Sequence, residues 1–117
     1  MTDLDYKKSI NDIIYLCSCA VNGISPDLNR IGDPDDLYEA SQKHMLASMV
    51  GMVLQKAGIQ AKAFKDAIVL AQRKAVILND DLQQVTAALE AAAIWYMPLK
   101  GAVLKELYPR FAMREMA

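Results

Sequence analysis

A chain of 117 residues that is 54% hydrophobic and carries a formal net charge of −1 is one domain, or part of one, with a modest core. That charge gives no electrostatic basis for a nucleic-acid surface, and short basic pairs such as Lys7-Lys8 and Arg73-Lys74 read as solvated helix faces. The acidic start, Met1-Thr2-Asp3-Leu4-Asp5, does not resemble a signal peptide, and the longest nearly apolar run, residues 45–54, is too short to cross a bilayer, so a cytoplasmic protein without a membrane partner is expected.

Seven methionines and many alanines favour helices over sheets. The first helix is signalled by Tyr6, Ile10, Ile14, Cys17, Val21 and Ile24, whose steps of three and four draw one apolar stripe. Gly23 and Ser25-Pro26-Asp27 end it, and the segment through Gly32-Asp33-Pro34 reads as a loop that can hold one helical turn. Cys17 and Cys19 project about 200° apart on this helix, so they neither pair nor chelate one ion, and they read as small thiols in a reducing compartment.

A second helix starts near residues 33–36, where a carboxylate can cap free N–H groups and Pro34 suits the first turn. Asp33, Asp35 and Asp36 lack the glycine turn and distal glutamate of a calcium loop, so capping is the better account of them. The apolar stripe runs through Leu37, Ala40, Ser41 and His44, then changes phase to Leu46, Met49, Val50, Val53 and Leu54. That shift implies a kink, or two short helices meeting near His44, and Gly58 supplies the stop. His44, the single histidine, reads as structural, while Met45, Met49 and Met52 read as core filling.

The clearest pattern is Phe64, Ile68, Ala71, Ala75, Leu78, Leu82, Val85, Leu89 and Ala92, which alternates steps of four and three without a slip. It predicts one long helix near 62–93, packed lengthwise along another helix as the spine of a bundle. Residues 94–99 turn branched and aromatic and close on Pro98, which predicts a single strand. One strand makes no sheet, so this segment is expected to find partners elsewhere and to drive self-association.

Beyond it come Lys100-Gly101, a short helical pattern and Arg114. A strand, a Lys-Gly turn and a helix start can handle phosphate: backbone N–H groups are free, glycine permits close approach, and lysine adds a mobile charge. The bland alternative is that Gly101 ends a strand and that Lys100 and Arg114 are solvated.

The order Leu99-Lys100-Gly101-Ala102, then Leu104, Leu107 and Tyr108, then Arg114 and the small Ala117, resembles the uncharacterised nucleotidyltransferase family of the polymerase-beta-like superfamily over residues 94–117. The resemblance implies a mainly α region, 1–93, leading into the start of an α+β nucleotidyltransferase-like core at 94–117. It further implies that Lys100 and Gly101 serve the triphosphate of a nucleoside triphosphate, and that Arg114 orients either phosphate or the catalytic loop. An Asp-x-Asp strand following Arg114 would hold Mg²⁺ for transfer of a nucleoside monophosphate to an acceptor whose identity the sequence does not specify. The sequence departs from that pattern by stopping at Ala117, where the Asp-x-Asp would begin, so this chain is expected to be inactive and to bind neither Mg²⁺ nor nucleotide tightly. Glu106 and Glu115 do not match the family's metal ligands. A non-enzymatic helical module for oligomerisation or protein interaction is the rival expectation.

Overall fold

The computed structural model describes residues 2–115, and these residues hold five α-helices and two short 3₁₀ turns. In chain order they are α1 (Asp3–Asn22), a 3₁₀ turn (Leu28–Arg30), α2 (Pro34–Lys43), α3 (Ala47–Lys56), α4 (Lys62–Ala91), α5 (Gly101–Leu104) and a second 3₁₀ turn (Lys105–Leu107). The mainly α expectation holds, and the long helix lies within two residues of its expected ends.

Local chemistry sets the boundaries. The Thr2 hydroxyl accepts from the Asp5 N–H at 3.1 Å while the Asp5 carboxylate accepts from the Thr2 N–H, a reciprocal box that starts α1. Asp33 starts α2 by accepting from the Asp35 N–H at 3.0 Å, with Pro34 in the first turn. Helices α1 to α4 all close the same way, with a left-handed residue just past the end and a bond from the following N–H back to the last turn. Gly23, Met45, Gly58 and Ala93 are the left-handed residues, and Ile24, Leu46, Ile59 and Ile94 donate to Cys19, Ser41, Leu54 and Leu89. The phase change near His44 is therefore two helices meeting at a tight turn.

Helix α3 is central: residues 47–54 are all buried, as expected for a helix surrounded on every side. It packs against both α1 and α4, and α1 also packs on α2. Gly51 sets the closeness of α3 and α4, since a Cβ there would lie 3.1 Å from Phe64 Cβ and 3.2 Å from Ile68 Cδ1. Tyr38 meets the Phe64 ring edge-on at 5.4 Å, tying α2 to the same contact.

Three expectations need correction. Residues 94–99 form no strand; among the described residues there is none, and this segment is exposed throughout. A lone strand leaves the N–H and C=O groups of both its edges without a ladder partner, and no described residue pairs with this segment in a ladder. The face of α1 is also different, because its buried residues are Ser9, Asp12, Ile13, Leu16, Cys19 and Ala20, whereas Ile14 is 63% exposed and Val21 and Ile24 are exposed too. Small and polar side chains share that face with Ile13 and Leu16: Asp12, buried, accepts from Lys8 Nζ at 3.2 Å and from the Gly32 N–H at 3.0 Å, fastening the loop ahead of α2.

Finally, α4 does not bury its whole stripe. Phe64, Ile68 and Ala75 are buried, but Leu78, Leu82 and Leu89 are only partly covered and Val85 is exposed. Thirty residues at 1.5 Å each span about 45 Å. The helix thus outruns the ten-residue α3 beside it, and the molecule measures 55 × 26 × 22 Å.

Candidate functional site

Beyond α4 the chain carries no regular element as far as Lys100, which has φ 52° and ψ −125°, a region that glycine normally fills. Holding a lysine there costs about 1–3 kcal/mol, a strain that recurs at ligand-binding positions. The Lys100 carbonyl accepts from the N–H groups of Val103 and Leu104 at 3.0 and 2.8 Å, forming the first turn of α5. At the start of the second 3₁₀ turn, Lys105 bonds through its Nζ to the Asn79 side chain on α4. Ala112 and Met113 then return to the core, leaving Arg114 and Glu115 partly buried beside the junction of α2 and α3.

That return brings the three expected residues together. Lys100, Gly101 and Arg114 line one open pocket of about 510 Å³. The α2–α3 junction adds His44, Met45 and Leu46, and α3 adds Met49; Tyr108, Met113 and Glu115 complete the lining. The volume falls among small-molecule sites, about 300–1,000 Å³. Cationic groups and a glycine backbone thus share a pocket with Met45, Leu46 and Met49, an arrangement suited to a ligand that is anionic at one end and apolar at the other. A smaller recess of about 160 Å³ adjoins it, shares Tyr108 and Arg114, and adds Lys105, Arg110 and Glu106.

His44, expected to be structural, does hold structure: its Nε2 shares a 3.0 Å hydrogen bond with the Tyr6 hydroxyl, linking the end of α2 to α1. It also lines the pocket, a placement the sequence pattern does not reveal. Tyr108 was visible in the sequence only as part of the resembling stretch, and Glu115 was visible only as an acid near it. Ala117, which closes that stretch, lies outside the described residues.

Among the described residues no group of three or more His, Cys, Asp or Glu side chains is placed to hold a metal ion. Both cysteines are unpaired, and burial pushes the Cys17 thiol up to about 11, which keeps it protonated and unreactive at neutral pH. The Tyr96 phenol, outside the pocket, is raised above its ordinary value first by donating to the Glu90 carboxylate, at 2.7 Å.

The profile of the uncharacterised nucleotidyltransferase family matches residues 32–117. The chain belongs to the uncharacterised nucleotidyltransferase family. The match takes in α2, α3, α4 and the Lys-Gly turn, so it reaches well upstream of the stretch where the resemblance is legible by eye. No curated protein and no solved structure matches the chain. No helix among the described residues is long and apolar enough to cross a membrane.

Proposed function

We propose that the pocket lined by Lys100, Gly101 and Arg114 receives the triphosphate of a nucleoside triphosphate, as the phosphate-handling part of a nucleotidyl transfer site. The observation that carries this reading is the convergence of these residues, up to fourteen positions apart in sequence, on one pocket. Lysine and arginine answer the phosphate charge, with arginine offering a planar fork that suits two oxygens at once. Gly101 lets an oxygen come close to the backbone. Met45, Leu46 and Met49 offer an apolar wall to the rest of the ligand.

This reading gives the chain the triphosphate end of the reaction and assigns magnesium to none of its described residues. The acceptor would be a hydroxyl or similar group on a molecule the pocket does not identify. The free thiols accord with a reducing, cytoplasmic setting. Calorimetric titration with ATP and GTP tests the reading: Lys100→Ala should weaken binding by removing charge, and Gly101→Val by keeping phosphate off the backbone. Unaltered affinity in both variants would overturn it.

A second reading, a helical module that binds another copy of the chain, draws on one observation. The far part of α4 and the segment after it expose Val76, Ile77, Val85, Ile94 and Trp95, the last 99% exposed. Sedimentation at micromolar concentration should then show a dimer or larger species; a clean monomer would dismiss this second reading.

A further inference from the structure

Helix α3 begins without a cap of its own. Leu46 occupies the N-cap position and makes no side-chain bond, so the free N–H groups of the first turn need an acceptor from elsewhere. Glu115 supplies one from 67 residues away: its Oε1 accepts from the Ser48 N–H at 2.9 Å, which also puts a negative charge at the positive end of the helix. The same serine holds the returning chain a second time, its Oγ donating to the Ala112 carbonyl at 2.7 Å.

Ser48 is wholly buried, Ala112 is held in the left-handed region at φ 64°, and Met113 between the two anchors lies in the core. The two bonds therefore bracket Met113 and Arg114, fastening the turn that carries the guanidinium to the first turn of α3 at both ends. The other wholly buried serine in this part of the chain, Ser41, makes no hydrogen bond through its hydroxyl. Burial of a serine on these helices is thus not enough by itself to form such a clamp.

We infer that Ser48 and Glu115 are positioning residues, which set Arg114 into the pocket with Lys100 and Gly101 and act on a bound triphosphate only through that arginine. The inference rests on the phosphate reading of the pocket. The chemistry is consistent across the clamp. A neutral hydroxyl and a backbone N–H take up a carbonyl and a carboxylate, and both anchors lie within three residues of Arg114. Neither bond depends on a ligand, so the arginine is pre-placed and less ordering is left to binding.

Inorganic tripolyphosphate titrated calorimetrically into the 117-residue chain is the test. Ser48→Ala should weaken binding roughly tenfold, the scale of the one hydroxyl-to-carbonyl hydrogen bond it removes, while Ser41→Ala should leave it unchanged. In an Arg114→Gln background the Ser48→Ala loss should vanish, because the residue it acts through is already gone. Glu115→Ala, which keeps the buried Ser48 hydroxyl and removes the oxygen that accepts from the Ser48 N–H, carries the same paired test if Ser48→Ala melts early. Wild-type affinity in the single variants, or the same tenfold loss with and without Arg114, overturns the positioning role and leaves the phosphate reading standing. No tripolyphosphate binding by the wild type overturns the phosphate reading itself, and the positioning role falls with it.

Discussion

The two ends of α4 lie on one helix with one unbroken apolar stripe, yet they live in different surroundings. Near its start Phe64 and Ile68 press on Gly51 of α3 and Phe64 meets the Tyr38 ring; toward its end Val85 is exposed and Leu82 and Leu89 are half-covered. Periodicity shows which face of a helix is apolar, but burial also requires a neighbour of matching length. Here α3 is ten residues long and α4 is thirty.

The largest expected effect separates these two ends. Phe64→Ala should cost about 3–5 kcal/mol through the cavity it leaves, whereas Leu89→Ala should cost about 1 kcal/mol or less. Likewise Ile68→Asp should abolish folding, and Leu82→Asp, at the centre of the stripe, should still melt cooperatively. Urea unfolding of the four variants checks this; equal losses at both ends would mean that the far half of α4 is packed against something.

Gly51→Val sharpens the same contrast. Its side chain would enter a space where even one carbon stands 3.1 Å from Phe64, so a loss of about 1–3 kcal/mol is expected from overpacking. Valine at Ala88, exposed on the far half of α4, should cost under about 1 kcal/mol by the same measurement.

How much of this was legible in the sequence follows from the same contrast. The span of α4 follows, to within two residues, from its apolar stripe, and the caps at Asp33, Gly23 and Gly58 and the break near His44 follow from short-range rules. The stops at Met45 and Ala93 were not visible as caps, because residues with side chains take the left-handed position there. The face of α1 misled because large aliphatics marked the stripe, whereas the core accepted Ser9, Asp12, Cys19 and Ala20, small or internally bonded groups. Branched and aromatic residues at 94–99 favour a strand only when another strand lies alongside. Lys100 and Gly101 were singled out by turn chemistry and Arg114 by resemblance, and the structure shows that all three line one pocket. The bonds from Ser48 to Ala112 and Glu115 were not, since pairs 64 and 67 residues apart obey no spacing rule.

A smaller effect concerns the strained lysine. Lys100→Gly should relieve its backbone and stabilise the chain by about 1 kcal/mol, yet weaken binding of ATP by removing the charge. Thermal melting beside an ATP titration would show the two moving in opposite directions; a loss of both would mean that the Lys100 conformation is not strained.

The smallest effect is the pH response of Cys17. Its folded value, about 11, lies above the ordinary 9.0, so the folded chain holds the proton more tightly than the unfolded one. The stability this contributes is fully present below about pH 9 and is lost as pH rises towards 11. Alkylation of Cys17 at pH 8 should accordingly be much slower in the folded chain than in urea, followed by mass spectrometry of the peptide; equal rates would contradict the burial.

The central claim is that the segment which returns to the packed core builds a phosphate pocket there. Amide chemical shifts of the ¹⁵N-labelled chain, recorded while inorganic tripolyphosphate is added, test it most directly. The account predicts shifts concentrated at Lys100, Gly101, Ala102, Arg114 and Glu115. Shifts confined instead to the exposed lysines and arginine of α4, Lys62, Lys65, Arg73 and Lys74, would contradict it.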